Sequence, residues 1–258
     1  YGVETNQIFT GNGSDDVIAL SFMSFFNSEK PILFPDITYS FYPVWCRLFN
    51  IPYETPAIDE NFKINPQDYY KENGGVILPN PNAPTGISEG KEFIKDILDH
   101  NRDCIVIIDE AYVDFGGYSC VELLKEYDNL LIVQTFSKSR SLAGGRLGYA
   151  IGNAELIADL TKIKFSTNPY NINRLTLVAG EASLNDAEYY RNNCRKIIEN
   201  RRYTTTELVK LGFEVLASCS NFVFARTDRI EGGELYLKLK AKGILVRHFD
   251  KERIKDYL

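Results

Sequence analysis

Short apolar runs alternate with segments of helical periodicity along the chain as far as about Asn153. Residues 105–108 and 130–135 are nearly all apolar, a pattern typical of strands buried on both faces of a mostly parallel sheet. We predict further strands at 6–11, 31–36, 74–80 and 146–153, and helices at 14–26, 39–50 and 88–100. This alternation predicts an α/β fold with a doubly wound, mostly parallel sheet.

Polar residues are expected to start two of these helices. Ser14 predicts an N-cap, with Asp15 and Asp16 in the first helical turn. Ser88 predicts the start of the third helix, because it forms an approximate capping box with Lys91 and Glu92.

The pattern changes after Asn153. Helical periodicity continues at 154–164, 173–184 and in a long charged segment at 187–212. A strand at 213–226, a helix at 232–243 and a strand at 244–249 are predicted to follow. We therefore divide the chain into a large α/β domain at residues 1–165 and a second part at 166–258. The second part is expected to hold an interdomain helix and the beginning of a smaller α+β domain.

Composition narrows the possible functions. The chain has 258 residues, of which 44% are hydrophobic, enough to bury a core. A net charge of -6 argues against a nucleic-acid partner. No apolar run reaches the roughly 18 residues that a membrane span needs. The odd number of cysteines, five, indicates free thiols in a reducing cytoplasm. The chain has no CxxC pair and only two histidines, so we predict no metal site.

Polar residues of different chemical types follow the predicted strands, at the sheet edge where α/β folds bind ligands. After the first strand, Gly11, Gly13 and Ser14 offer free N–H groups at a helix start, an arrangement that binds phosphate. The same glycines are equally compatible with a tight turn, because the segment is neither GxGxxG nor a P-loop.

Asp109 follows the apolar run 105–108, and burying a lone carboxylate is unfavourable. One interpretation is that it caps a loop or pairs with an arginine. The other is that it pairs with the protonated ring nitrogen of a cofactor, whose phenolic oxygen would lie within reach of Tyr112.

Lys138 follows the apolar run 130–135. A lysine at such a place is most often solvated, whereas one near cations or in a dry pocket becomes an amine nucleophile. Arg140 and Arg146 are close in sequence. Ser137 and Arg146 would suit a phosphate, because a hydroxyl and a guanidinium both donate to its oxygens.

Four motifs occur in order: "GNGSDD" at 11–16, "PNAPTG" at 81–86, "DEAY" at 109–112 and "TFSKSRSLAGGRLGY" at 135–149. In this order and at these separations, the chain resembles the fold-type I pyridoxal-phosphate aminotransferases. Within that group it is most similar to the histidinol-phosphate aminotransferase family. The resemblance runs over essentially all 258 residues.

The resemblance implies a role for each motif residue. Lys138 would attach the cofactor covalently and move the proton between the substrate Cα and the cofactor C4′. Asp109 would keep the pyridine nitrogen protonated, so that the ring withdraws electrons. Asn82 and Tyr112 would hydrogen-bond the phenolic oxygen, and Tyr39 would stack on the ring. Binding of the cofactor phosphate is implied for Gly13, Ser14, Ser137 and Arg146, with Asp15 in the same helical turn.

The implied reaction converts L-histidinol phosphate and 2-oxoglutarate to imidazole acetol phosphate and glutamate, in a ping-pong cycle of histidine biosynthesis. Arg247 would lie near the substrate's phosphate, and Tyr39 and Asn82 would also contact the substrate. A segment facing the pocket is implied for Asn168, Tyr170, Asn171 and Arg174. Arg174 is equally compatible with a salt bridge at a helix start.

The resemblance further implies a cytoplasmic homodimer that takes a small amino donor and a 2-oxo acid. It implies that the family's N-terminal arm and the end of its small domain lie outside this sequence. Alternatives are a threonine-phosphate decarboxylase, an aromatic amino acid aminotransferase and a non-catalytic domain that retains the fold. A short-chain dehydrogenase is a weaker alternative, suggested only by the YxxxK spacing of Tyr236 and Lys240.

Overall fold

A seven-stranded sheet forms the centre of the computed structural model, which describes all residues from 1 to 258. The strand order across the sheet is β1-β7-β6-β5-β4-β2-β3. The strands are β1 (Ile8–Gly11), β2 (Ile32–Leu33), β3 (Tyr53–Glu54), β4 (Gly75–Pro79), β5 (Val106–Asp109), β6 (Leu130–Thr135) and β7 (Gly148–Gly152). The helices are α1 (Ser14–Phe25), α2 (Tyr42–Phe49), α3 (Lys91–Asp99), α4 (Ala154–Thr167), α5 (Arg174–Asn185), α6 (Ala187–Lys210) and α7 (Gly232–Ala241).

Strand direction determines which chain segments meet at one edge of the sheet. Strands β2 to β6 are parallel, whereas β7 runs antiparallel between β6 and β1. The carboxyl ends of β1, β4, β5 and β6 therefore lie at the same edge as the beginning of β7. The predicted α/β class with a mostly parallel sheet is confirmed. The sequence pattern did not predict β3, a short strand at the edge of the sheet.

The central strands are buried on both faces. Every residue of β4, β5 and β6 is buried. Ile77 and Ile107 pack with residues of α1 and α2 on one face. Val106 and Ile108 pack with α3 on the other. Alternate side chains of an almost wholly apolar strand thus serve two separate cores, which is why the strand lacks a polar side.

The second part of the chain holds a separate two-stranded sheet of β8 (Glu214–Val215) and β9 (Ala225–Arg226). A small apolar cluster joins it to the first part, because Phe62 packs against Phe224 and Tyr257. The division at residue 165 stays a prediction, and α4 extends across that position. None of the helices has the length and apolar content required to cross a membrane.

Four local predictions are wrong. Residues 213–226 do not form one strand, because they contain the two short antiparallel strands β8 and β9. Gly13 is the N-cap of α1, and Ser14 is its first helical residue. Ser88 does not cap α3, because its hydroxyl donates to Asn80 Oδ1 at 3.1 Å. Residues 244–249 form no strand. The edge of β9 that such a strand would use is instead bonded to Leu258, in both directions.

Candidate active site

A cavity of about 150 Å³ opens at the sheet edge where the strand ends converge. It collects side chains from five separate connections, which the topology brings together from positions far apart in the sequence. Its walls are formed by Ser14, Asp15, Tyr39, Pro79, Pro81, Ala83, Asp109, Ala111, Tyr112, Ser137, Lys138, Ala143 and Arg146. Most of the predicted site residues therefore lie around one space.

Asp109 is the last residue of β5 and is only 5% exposed. Its Oδ2 accepts a hydrogen bond from the Tyr42 hydroxyl at 2.9 Å, and its Oδ1 accepts one from the Ala111 N–H at 3.1 Å. It forms no salt bridge. Burial raises the pKa of this carboxyl to about 6, while the two donors oppose the shift. The arginine pair is therefore wrong, whereas the bond from the Ala111 N–H does cap the following loop. Asp109 also lines the cavity, where its carboxylate has no cationic partner.

Lys138 lies three residues beyond the end of β6 and is partly buried. Its Nζ forms neither a salt bridge nor a hydrogen bond with the protein, and it lies 5.3 Å from the centroid of the Tyr112 ring. Tyr112 is held edge-on by Phe222, with ring centroids 5.1 Å apart. The amine is thus directed at the cavity with no protein acceptor.

The start of α1 and Arg146 form the cationic end of the cavity. The first N–H groups of a helix have no intrahelical partners, and the helix dipole favours an anion there. Gly13 has a φ of 88°, and a Cβ at this position would come within 2.6 Å of Arg146 Nη2. Arg146 also has a positive φ, of 52°. Only a glycine lets the guanidinium lie against the helix start.

Asp15 connects this cationic end to the aromatic wall. Its Oδ2 lies 3.3 Å from Arg146 Nη2, and its Oδ1 accepts a hydrogen bond from the Tyr39 hydroxyl at 2.9 Å. Burial, and then the Asp15 charge, raise the pKa of Tyr39 well above its usual range, so this hydroxyl remains a donor. The Asp15 carboxylate thus orients both side chains, and its backbone N–H belongs to the helix start.

Asn82 is buried but does not line the cavity, although Pro81 and Ala83 on either side of it do. Its Nδ2 donates to the Ile37 carbonyl at 3.0 Å, and its Oδ1 is buried without a partner. Here the amide ties the "PNAPTG" turn to the segment that carries Tyr39. A contact between Asn82 and a cofactor oxygen stays a prediction.

The remaining predicted residues lie outside the cavity. Arg247 is exposed and covers the Phe249 ring, with its guanidinium carbon 5.4 Å from the centroid. Tyr170 is 90% exposed, whereas Asn171 Nδ2 donates to Asp16 Oδ2 at 2.6 Å, close to the start of α1. Arg174 is the first residue of α5 and forms no salt bridge.

The other two residues of interest are also remote from the cavity. Asn168 is the C-cap of α4. Tyr236, of the YxxxK pair, stacks on His248 at 5.7 Å between ring centroids. The prediction that Asn168 faces the pocket gains no support from the cavity, and Tyr236, the basis of the dehydrogenase alternative, lies outside it.

Two buried groups beside the site were missed by the sequence analysis. Tyr42 lies on α2, three positions after Tyr39, and its aromatic side chain looked like ordinary core. Glu110 accepts hydrogen bonds from Ser119 Oγ at 2.8 Å and Gln134 Nε2 at 2.6 Å, and burial raises its pKa to about 7. The acidic pair at 109–110 was visible, but the sequence does not show which of the two faces the cavity.

A family model described as aminotransferase class I and II matches residues 2–257. The chain belongs to this family. The histidinol-phosphate aminotransferase of Lactococcus lactis subsp. cremoris (strain MG1363) is 51% identical over 258 residues, which are 100% of this chain and 72% of that protein. The protein of the same name from Pseudomonas putida (strain W619) is 48% identical over 258 residues, again 100% of this chain and 74% of that protein.

Solved structures agree with the family assignment. The histidinol-phosphate aminotransferase from Clostridium acetobutylicum superposes with a TM-score of 0.88 at 30% identity, covering 97% of this chain and 77% of that one. The enzyme of that name from Sinorhizobium meliloti, in complex with pyridoxal-5'-phosphate, gives a TM-score of 0.88 at 20% identity, covering 99% and 72%. The latter supports the fold alone. The resemblance inferred from the four motifs is confirmed.

Proposed function

We propose that the chain is a pyridoxal-phosphate-dependent aminotransferase. Its reaction converts L-histidinol phosphate and 2-oxoglutarate to imidazole acetol phosphate and L-glutamate, a step of histidine biosynthesis. One observation carries the chemistry: an unpaired amine and a buried carboxylate without a cation line the same cavity, beside a helix start and an arginine. The choice of substrate rests on the relatives of that name at 48 to 51% identity.

The chemical groups that line the cavity match those that pyridoxal phosphate requires. Its aldehyde needs an amine, its pyridine nitrogen needs a carboxylate, and its phosphate needs hydroxyl, amide and guanidinium donors. Lys138, Asp109 and the group formed by Ser14, Ser137 and Arg146 match these needs and lie around one cavity. The cradle between Gly13 and Arg146, which a Cβ would fill, is a second feature suited to the phosphate.

Each residue would then do one task. When bound, pyridoxal phosphate withdraws electrons from the substrate α-carbon and carries the amino group between two half-reactions. Lys138 Nζ would be the attachment point for the cofactor aldehyde and the base that takes the proton from the substrate Cα. Asp109 would accept a hydrogen bond from the ring N–H and so favour the protonated ring. Ser14, Ser137 and Arg146 would bind the phosphate, and Tyr39 would contact the ring.

Borohydride trapping tests the proposed attachment point. The protein is mixed with pyridoxal phosphate, reduced and digested, and the modified peptide is identified by mass spectrometry. We expect one modification, on Lys138, together with a visible absorption band before reduction. Lys138→Ala should lose both. Lys164→Ala is a matched control, because Lys164 is also partly buried but donates to the Thr10 carbonyl outside the cavity. Modification spread over surface lysines would contradict the proposal.

Substrate assays test the proposed specificity. We expect amino transfer from L-histidinol phosphate to 2-oxoglutarate to exceed transfer from aromatic amino acids, with no carbon dioxide released from threonine phosphate. The opposite order with an intact Lys138 adduct would refute the substrate and leave the cofactor chemistry standing. We also propose a cytoplasmic homodimer with a 2-oxo acid as second substrate, by analogy with the family. Sedimentation of the loaded protein at the mass of one chain would refute the dimer.

A further inference from the structure

The carboxylate that faces the cavity is held from behind by a residue that does not touch the cavity. Tyr42 is fully buried on α2, and its hydroxyl donates to Asp109 Oδ2 at 2.9 Å. The other oxygen of Asp109 is occupied by a backbone N–H, from Ala111. Tyr42 therefore makes the one side-chain hydrogen bond that the Asp109 carboxylate receives from the protein.

Close packing fixes the position of the Tyr42 ring and of its hydroxyl. The ring packs edge-on against Phe34 and Tyr39, with centroids 5.7 and 5.6 Å away, and it also contacts Trp45 at 6.4 Å. A ring locked in a close-packed core holds its polar atom in one place. The aromatic cluster thus holds Oδ2 of Asp109 through a single hydroxyl, while the Ala111 N–H holds Oδ1.

Other charges face Asp109 without touching it. Asp15, from α1, disfavours its ionised form, whereas Lys138, beyond β6, favours it. The Tyr39 hydroxyl is directed at Asp15 and not at Asp109. Tyr42 itself keeps its proton, because burial and the neighbouring Asp109 raise its pKa well above the usual range. The hydroxyl therefore keeps its proton and can donate to Asp109 whenever that carboxyl is ionised.

We propose that Tyr42 is a positioning residue for Asp109, which fixes the carboxylate and keeps it a weak base. The second half of this inference rests on the proposed function. A proton shared between a ring nitrogen and Asp109 goes to the stronger base of the two. A hydrogen bond to the ionised carboxylate stabilises that form, so the proton stays on the ring nitrogen.

The first test needs no cofactor. Carbon-13 NMR of carboxyl-labelled aspartate, assigned with D109N, gives the titration midpoint of Asp109 in the cofactor-free protein. We expect Tyr42→Phe to raise this midpoint by about one pH unit, because the ionised carboxylate loses a charge-assisted hydrogen bond. Tyr69→Phe is the matched control. The Tyr69 hydroxyl is equally buried but has no partner and lies in a different core cluster. An unchanged midpoint in a folded Tyr42→Phe protein would overturn the proposal.

A second variant keeps the shape of the ring. Replacement of Tyr42 by 3-fluorotyrosine makes the hydroxyl a stronger donor and should move the Asp109 midpoint downward, opposite to the phenylalanine variant. This variant also decides the question if Tyr42→Phe does not fold. No movement, or movement in the same direction as with phenylalanine, would contradict the proposed role.

The loaded enzyme provides the third readout. We expect Tyr42→Phe to lower kcat about tenfold with KM for the amino donor unchanged within about twofold, since only proton placement is altered. The acid limb of its pH profile should shift upward together with the Asp109 midpoint. Equal losses in Tyr42→Phe and Tyr69→Phe would indicate a merely structural role. If the protein binds no pyridoxal phosphate, the proposed function fails, while the cofactor-free titration still decides whether Tyr42 controls Asp109.

Discussion

Replacing Asp109 by asparagine should stabilise the cofactor-free protein while abolishing its activity. Burial raises the pKa of Asp109 from 3.8 to about 6. The folded state therefore holds a proton that the unfolded state has released at pH values between these two. For a carboxyl group with a raised pKa, this means that stability is lost as the pH rises through the window and stays low above it.

The magnitude follows from the size of the shift. About two pKa units at about 1.4 kcal/mol each give a destabilisation of roughly 3 kcal/mol at pH 8, and about half of that at pH 5. D109N removes the charge but not the volume of the side chain. The remaining Oδ1 still accepts from the Ala111 N–H, and the Tyr42 hydroxyl changes from donor to acceptor. We therefore expect D109N to be more stable by up to about 3 kcal/mol at pH 8 and by about 1.5 kcal/mol at pH 5.

Urea unfolding of the cofactor-free proteins at both pH values measures this difference. Asp103→Asn is the control, because Asp103 is exposed, and its replacement should have the same small effect at both pH values. A D109N protein no more stable than the parent at pH 8, or a gain independent of pH, would refute the reasoning.

Added pyridoxal phosphate should reduce or reverse the advantage of D109N. At a given concentration, a ligand that binds more tightly stabilises the folded state more, by an amount that grows with the logarithm of its affinity. The parent carboxylate offers the ring N–H an ionised acceptor. The unfolding midpoint of the parent should therefore rise more than that of D109N at the same cofactor concentration. An equal rise in both would mean that Asp109 does not contact the bound cofactor.

Two further substitutions test the two ends of the site. Gly13→Ala should weaken pyridoxal phosphate binding by about tenfold or more, because it strains a positive φ and places a methyl group 2.6 Å from Arg146 Nη2. Gly90→Ala is the control, because Gly90 has open space around it and its replacement should leave the affinity unchanged. The family resemblance places Arg247 near the substrate's phosphate, whereas in the structure it lies over the Phe249 ring, outside the cavity. Arg247→Ala, with the exposed Arg202→Ala as control, distinguishes the two: the resemblance predicts a KM raised about tenfold for a phosphorylated donor and unchanged for an aromatic donor. The same rise for both donors would remove Arg247 from phosphate recognition.

Strand ends were the most predictable part of the site. Asp109 and Lys138 follow nearly continuous apolar runs, and parallel strands bring such ends to a common edge. Arg146 does not follow a strand but precedes β7. It lies at the same edge because β7 runs antiparallel to β6. An apolar run does not reveal its direction. The motif resemblance, and not the periodicity, was the reason to expect Arg146 near the helix start, and in the structure its guanidinium lies against Gly13.

The segment that carries Arg247 was predicted wrongly, because the expected strand is absent. Residues 244–249 are as apolar and β-branched as a strand requires, and the expectation of a strand was reasonable from local pattern alone. A strand also needs a neighbour with free backbone groups. The available edge of β9 is bonded to Leu258, so residues 244–249 find no partner there. Local propensity does not contain this information, because it depends on which segment reaches the edge.

The adjacent carboxylates at 109 and 110 show why residue type alone does not identify the site. Both are buried, and burial raises both pKa values, to about 6 and about 7. Glu110 is enclosed by Ser119, Gln134 and the Cys120 N–H, and it does not line the cavity. Asp109 has two donors and one open side. A carboxylate whose hydrogen-bonding capacity is filled by the protein serves the fold, whereas one with capacity left toward a cavity is available to a ligand.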